Sequence, residues 1–514
     1  MSSFSQRTSL PTLDSGKIVV ETPTKEPLDV VRLMKPVLKS NYSAGSHTPS
    51  STNSSVSAEV SEDEDDLEAE DLNNYHFADM QRCPSLTASQ DSLSPSPTPS
   101  PSKVTFFPSE AAHVAATKVD KPTTYGTVLV VGVGFVGAHL MERFSSAYEV
   151  VAFDVSENRC QYLRKVHCNN PNVTFISDLD ADDRTKSFDL CLVSVPTLLT
   201  ADLSQVDQTH IRSAFNMVSR IAQPGSTVVV ESSVTVGMTR ELFSPLLAKG
   251  VNVGFSPERV DPGRTYPAFE DIPKVVSGLN QVSLERITEL YSRVFNTVVP
   301  VSKPEVAEFT KLYENCQRLI NIAYVNEIAD ACAKHGVDVH EVVKASATKP
   351  FGFMPYTPSL GAGGHCIPVN PFYLFANCDL PLLRSAALAN QQRPAAKAYE
   401  VAQIASENLK LTSRAEGKPK VAIVGMGFKR GEASLAYAPT VTLADKLTEL
   451  DVEVSYVDDF VTSDKWAKVP SSTFQDAELF DSLFDVVVVA QRPIASELAV
   501  LEKLSPSKVI YFTK

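Results

Sequence analysis

Two short stretches of this chain carry residues whose types and spacing could do chemistry. In SLGAGGHCIPVNPFYL (359–374), Gly361, Gly363 and Gly364 lead to one cysteine, Cys366, with Pro368 behind it. Most lone cysteines are small buried apolar residues. Glycines crowded beside one suggest instead a thiol on a loop that a ligand must approach closely. In TVLVVGVGFVG (127–137), Gly132, Gly134 and Gly137 stand as GxGxxG directly after an apolar run and at the mouth of a helical pattern. The first glycine permits the tight turn, the second lets backbone approach a pyrophosphate, and the third lets helix pack on strand. Free N–H groups at the helix start then meet the phosphate charge. Asp154 ends the next apolar run, 22 residues after the first glycine. A carboxylate there accepts from the adenosine ribose diol and repels a 2′-phosphate, so the expected cofactor is NAD rather than NADP. A nucleophilic thiol beside a nicotinamide can capture an aldehyde, present it for a second hydride transfer, and leave a thioester for water.

The elements that position these residues follow from hydrophobic periodicity. EVVAFDV (149–155), LCLVSVP (190–196), TVVVESS (227–233), VNVGFSP (251–257) and KVVSG (274–278) are short apolar strands. Helical patterns such as DQTHIRSAFNMVSRIA (207–222) alternate with them, which implies a parallel sheet covered on both faces. From about 303 to 400 the strands vanish, and PEVAEFTKLYENCQRLINIAYVNEIADACAKHG spaces its apolar residues as one long helix. A helix of that length usually supports a domain interface or a dimer. KVAIVGMGFKRG (420–431), VEVSYVD (452–458) and FDVVVVA (484–490) begin a second, smaller α/β unit. The expected fold class is therefore α/β. An N-terminal Rossmann-like domain (123–302) is followed by a helical middle (303–405) and a C-terminal α/β domain (418–514).

Residues 1–122 differ in kind. They are rich in Ser, Thr and Pro, carry the acidic run SEDEDDLEAED (61–71) and end in LSPSPTPSPS (93–102). Such a stretch cannot bury enough apolar surface to offset its chain entropy, and disorder is expected. Ser94, Ser96, Thr98 and Ser100 each precede proline and suit proline-directed kinases, and LDVVRLMKPVL (28–38) is a candidate docking segment. A net charge of −14 disfavours nucleic acid as a partner. No apolar run reaches membrane-spanning length, and the N-terminus lacks the apolar core of a secretory signal. Eight cysteines, none spaced as CxxC, argue for a reducing compartment, expected to be the cytoplasm, and against a disulfide framework or structural zinc.

The motifs together resemble the UDP-glucose/GDP-mannose dehydrogenase family. VGVGFVG (131–137), VSVPT (193–197), ESSVTVG (231–237), FSPERVDPG (255–263), KLYEN (311–315), GGHCIPVNP (363–371) and GMGFK (425–429) stand in the family's order from about 127 to 490. FSPERVDPG with GGHCIPV is similar to members that act on UDP-N-acetylhexosamines rather than UDP-glucose. The resemblance implies NAD-dependent oxidation of a sugar carbon-6 alcohol to a carboxylate, feeding polysaccharide biosynthesis. It implies Cys366 as nucleophile, Glu258 as acid/base for thioester hydrolysis, and Lys311 with Asn315 beside the developing oxyanion and the water. Asn370 completes the implied catalytic set. Phe135, Val136, Arg159, Pro196, Thr197 and Ser233 join the glycines and Asp154 at the cofactor. Arg259, Lys311, Asn315, Gly361, Gly363, Gly364 and Lys429 line the sugar nucleotide. The helical middle is implied to form a homodimer or a larger homo-oligomer, with the UDP-sugar between the two α/β domains.

Three positions depart from the family pattern. Asn370 stands four residues after the cysteine where Asp is usual, and an amide can neither take a proton nor offset a lysine. Ala436 stands where an Arg is usual, and PSLG (358–361) replaces a proline-glycine pair. The expectation is an active dehydrogenase. The alternative is a catalytically impaired member retained as a cofactor- or nucleotide-sugar-binding regulatory or scaffold protein. A 6-phosphogluconate or 3-hydroxyacyl dehydrogenase type shares the first domain but lacks the second α/β unit and the GGHC loop.

Overall fold

The computed structural model describes residues 124–200, 205–260, 266–412 and 417–513. The stretch expected to be a disordered tail, with its docking segment and kinase sites, lies outside the described residues. Strands β1 (Thr127–Val131), β2 (Glu149–Phe153), β3 (Val173–Ile176), β4 (Leu190–Val193), β5 (Thr227–Val230), β6 (Asn252–Phe255), β7 (Lys274–Gly278) and β8 (Val298–Val301) form one sheet. Their order is β3-β2-β1-β4-β5-β6-β7-β8. Along β1 and β2, Leu129, Val131, Val151 and Phe153 enter one core while Val128, Val130, Val150 and Ala152 enter the other. Burial on both faces is why these strands read as unbroken apolar runs.

One expectation needs correcting. The sheet is parallel except at β6 and β7, which are antiparallel with Phe255 opposite Ser277. Parallel neighbours need a crossover element between them. The described part of this connection carries only a 3-10 turn at Phe269–Asp271. The reversal brings Lys274, the first residue of β7, to the edge where β1 to β6 end.

Six helices matter to the site: α1 (Phe135–Phe144), α2 (Gln281–Ser292), α3 (Pro304–Lys334), α4 (Asn370–Phe375), α5 (Pro381–Lys410) and α6 (Pro439–Glu449). Leu312, Cys316 and Leu319 of α3 share a buried cluster with Tyr373 and Leu374 of α4, Leu383 and Ala387 of α5, and Leu199 from the loop after β4. The helical middle is thereby packed directly onto the strand ends of the first sheet. The second sheet is wholly parallel, with β9 (Lys420–Val424), β10 (Glu453–Val457), β11 (Ala467–Lys468), β12 (Val486–Val489) and β13 (Val509–Tyr511) in the order β11-β10-β9-β12-β13.

Gly137 carries the close packing of α1 on β1. A Cβ there would lie 1.9 Å from the Gly132 carbonyl oxygen and 2.6 Å from Ser194 Oγ. Gly137→Ala is expected to lower unfolding free energy by about 1–3 kcal/mol, measured by chemical denaturation.

Candidate active site

Gly132 turns the chain with φ +85, and its N–H donates to the Phe153 carbonyl at 2.9 Å. Asp154, buried at the end of β2, accepts from the Val133 N–H at 2.9 Å and from the Ser156 N–H at 3.0 Å. Arg159 donates from Nε to the Val133 carbonyl at 2.9 Å, so carboxylate and guanidinium brace the glycine loop from opposite sides. Burial lowers the Arg159 pKa, with Asp154 working against that. Phe135 and Val136 open α1, half-buried. Gly134 has open space where its Cβ would be, at the mouth of that helix. These residues fit a dinucleotide: an open glycine, the N-terminus of a helix, and a carboxylate on the adjacent strand.

Pro196 and Thr197 follow β4, and Ser233 follows β5. Thr197 Oγ1 donates to the Ser233 carbonyl at 2.6 Å, so Ser233 meets its neighbour through its backbone. Ser194, which the sequence reading passed over, donates from Oγ to the Gly132 carbonyl at 2.7 Å.

Cys366 is a free, exposed thiol on a loop anchored at every side. Ahead of it, the Ser359 N–H donates to Asn326 Oδ1 of α3 at 2.8 Å, and the Ala362 N–H donates to Asn390 Oδ1 of α5 at 2.7 Å. Behind it, the Asn370 N–H donates to the Cys366 carbonyl at 2.9 Å, closing the turn into α4. The Tyr373 hydroxyl donates to the Thr197 carbonyl, which ties the thiol loop to the end of β4. On the far side the Gly364 N–H donates to the Ala436 carbonyl at 3.1 Å. A Cβ at Gly363 would meet Phe428 Cβ at 2.8 Å and Pro439 Cδ at 2.9 Å, so only glycine lets this loop lie against the second α/β unit. Gly361 lies in the same loop, and Lys429 follows Phe428 beside Glu432, whose carboxyl burial raises in pKa and Lys429 lowers.

Lys311 and Asn315 share a face of α3, one turn apart. The Lys311 ammonium donates to the Glu258 carbonyl. Asn315 Nδ2 donates to Asn370 Oδ1 at 2.6 Å, and both amides are buried. The structure thus links Asn370, Asn315, Lys311, Cys366 and Glu258 in one run of contacts, Cys366 and Glu258 joining it through their backbone carbonyls. Arg259 turns elsewhere. Its Nη2 lies 2.6 Å from Glu314 Oε1 and its Nη1 donates to the Pro273 carbonyl at 3.0 Å, bracing the Glu258 loop against α3.

Beneath Glu258 lies a charged group that sequence analysis missed. Lys274 Nζ lies 2.7 Å from Glu231 Oε2 and 3.0 Å from Glu258 Oε2, and all three side chains are shut from solvent. The Tyr291 hydroxyl of α2 donates to Glu231 Oε1. Burial, then the Glu258 charge, push the Glu231 carboxyl up to about 7, against the pull of Lys274 and Tyr291. Burial works against the Lys274 ammonium, yet the two carboxylates outweigh it and raise its pKa. The available signal was a charge at each end of an apolar run, Glu after TVVV and Lys before VVSG.

Fold and glycine loop define a dinucleotide-dependent dehydrogenase, and comparison with known proteins specifies which. The NAD-binding domain of the UDP-glucose/GDP-mannose dehydrogenase family matches residues 126–295, and the family's central domain matches residues 305–392. Protein CapL of Staphylococcus aureus is 32% identical over 359 residues, spanning 66% of this chain and 82% of that protein. The UDP-N-acetyl-D-glucosamine 6-dehydrogenase of Pseudomonas aeruginosa is 31% identical, spanning 66% of this chain and 83% of that protein. The solved UDP-D-ManNAc dehydrogenase of Pyrococcus horikoshii has the same fold, with a TM-score of 0.62, 23% identity, and coverage of 71% of this chain and 89% of that one. The chain belongs to the UDP-glucose/GDP-mannose dehydrogenase family, and its first α/β unit is that family's NAD-binding domain.

Two tests follow from the geometry. Gly134→Ala is expected to leave thermal stability unchanged while weakening NAD binding roughly tenfold or more, read by calorimetry, because the added methyl stands in the open cradle. The Glu231 carboxyl has a folded pKa raised above its unfolded value, so the folded state holds the extra proton and stability falls as pH rises from about 4.5 to about 7. Denaturation of wild type and Glu231→Gln across that window should show this fall in the wild type and its loss in the variant.

Proposed function

We propose that this chain oxidises the carbon-6 alcohol of a UDP-sugar, a UDP-N-acetylhexosamine or UDP-glucose, to the uronate through a covalent intermediate on Cys366. The observation that carries this reading is the grouping of Cys366, Asn370, Asn315, Lys311 and Glu258 beside the strand ends of the NAD-binding domain. NAD, held at the glycine loop and Asp154, supplies the acceptor for two hydride equivalents. Between those two transfers the Cys366 sulfur bonds to the carbon-6 aldehyde, and the Lys311 ammonium with the Asn315 amide stabilises the oxygen that gains charge. Loss of hydride from that carbon leaves a thioester. Water then adds, the carbon–sulfur bond breaks, and the thiol returns. Glu258 takes the proton from that water: three donors occupy three of its roughly four lone-pair sites, leaving room for one more. In total one alcohol, two NAD and one water give one carboxylate, two NADH and three protons.

The remaining roles belong to the same reading. Lys429 faces the UDP-sugar at the junction with the C-terminal unit (418–514), where Gly361, Gly363 and Gly364 let the thiol loop lie close against Phe428 and Pro439. The long helix α3 leaves Val306, Phe309, Tyr313 and Tyr324 exposed along its length, a stripe that suits a homodimer formed by the helical middle (303–405). Every cysteine of the described residues is free, which suits the cytoplasm.

A second reading, a binding protein without turnover, is favoured by one observation. Asn370 is buried and its amide oxygen is taken by Asn315, so nothing at that position accepts a proton. Wild type incubated with NAD and a panel of UDP-sugars should yield two NADH per sugar consumed. Binding without NADH supports the second reading. Cys366→Ala should retain NAD binding and lose turnover by roughly 10³-fold. Asn370→Asp is expected to change kcat by less than about tenfold if the amide is compatible with hydrolysis; a larger gain would show that the natural residue holds the enzyme back.

A further inference from the structure

Lys274 opens β7, which with β8 runs opposite to the other strands of the described first sheet, and the reversal sets it against Glu231 at the end of β5 and Glu258 just past β6. Its ammonium lies 2.7 Å from Glu231 Oε2, 3.0 Å from Glu258 Oε2 and 3.3 Å from the Pro257 carbonyl, and is 3% exposed. A buried ammonium with three oxygens around it needs no further partner for its own stability than Glu231. Its reach to Glu258 therefore has a consequence for the second carboxylate. Glu258 receives the Val260 N–H at 2.9 Å, with the Arg259 N–H, on Oε1, and Lys274 on Oε2.

We propose that Lys274, gripped from behind by Glu231 and Tyr291, is a positioning residue for Glu258, holding its rotamer with a cation against Oε2 as it accepts the proton of the hydrolytic water. The inference rests on the Glu258 role set out above. Two carboxylates compete for one buried cation, so a charge has to be given up within the group. Glu231 is the member that yields it: burial and the Glu258 charge push its carboxyl up to about 7, and the Tyr291 phenol is itself a hydrogen donor to it. The other groups facing Glu258 are His139 of α1, whose imidazole is lowered by burial and raised by the Glu258 charge, and Lys311 of α3, which engages the backbone carbonyl instead.

The test compares Lys274→Met, Lys274→Arg, Glu231→Gln and Glu258→Gln in the full chain. With Lys274→Met, kcat should fall on the order of tenfold or more while the NAD KM stays within about twofold. Infrared difference spectra of glutamate-labelled protein, taken in a Glu231→Gln background, should show a protonated-carboxyl band at neutral pH in Lys274→Met that vanishes when Glu258→Gln is added, because a buried carboxylate without its cation takes up a proton. Lys274→Arg should restore most of kcat. Glu231→Gln, which is nearly isosteric and does not depend on Lys274→Met folding, should keep kcat and its acid limb close to wild type, since Glu231 carries no charge there for the substitution to remove. Wild-type kcat and no carboxyl band in Lys274→Met, or an acid limb moved by about a unit or more in Glu231→Gln, would overturn the proposal. If Glu258→Gln itself keeps wild-type turnover, the role given to Glu258 fails, and the infrared band still decides whether Lys274 keeps it charged.

Discussion

A thiol on a glycine loop has no position of its own, because glycine gives up the most conformational freedom on ordering. The rest of the active-site geometry depends on what takes that freedom away. Here it is a set of buried amides, Asn326 and Asn390 on the approach and Asn315 beyond, together with the Tyr373 phenol on the Thr197 carbonyl. Each such bond contributes about 1 kcal/mol net, and leaving one partner unmet inside costs about 1–3 kcal/mol. Every anchor sits on α3, α4 or α5, so the thiol is registered to the helical middle and, through Thr197, to the strand ends of the NAD-binding domain.

The same loop meets the second α/β unit through backbone rather than side chains. The Gly364 N–H reaches the Ala436 carbonyl, and the absence of side chains at 363 and 364 lets Phe428 and Pro439 close in. Where the family carries an arginine, this chain offers a methyl group and a carbonyl. Tyr437, next in sequence, takes a positive φ of 50, unusual for a bulky residue, and its ring meets His365 edge-on. The two α/β units also share one device for holding a glycine turn. Asp154 at the end of β2 accepts from Val133 N–H, and Asp458 just past β10 accepts from Met426 and Gly427 N–H.

Charge at the catalytic edge is organised by strand direction. In a parallel sheet every strand presents its C-terminal end to the ligand side, so a residue that begins a strand lies at the opposite edge. Reversing β7, with β8 beside it, puts a strand-initial lysine among the strand-terminal acids Glu231 and Glu258. Burying three charges together carries a desolvation cost that only close mutual pairing offsets. That constraint makes the group unlike the exposed ion pairs elsewhere in the chain, such as Lys418 with Asp451, which contribute little.

Much of this was legible one residue at a time. Unbroken apolar runs marked the central strands because both their faces are buried. The GxGxxG spacing and Asp154 marked the cofactor turn because the constraint is local, within one βαβ unit. Glycines beside Cys366 marked a close approach, and α3 was legible from its period. The edge strands β3, β8 and β11 and the short final strand β13 were not: they are short or partly exposed, so neither length nor alternation separates them from loop. Asn326, Asn390, Lys274 and Tyr291 were unreadable for a different reason. An amide or a lysine inside an apolar pattern acquires meaning only from its partner, and these partners lie from 16 to 60 residues away along the chain. Local spacing determined which residues could do chemistry. The reversal of chain direction at β7 and the packing of three helices decided which of them meet, because charge and hydrogen-bond pairing depend on distance in space.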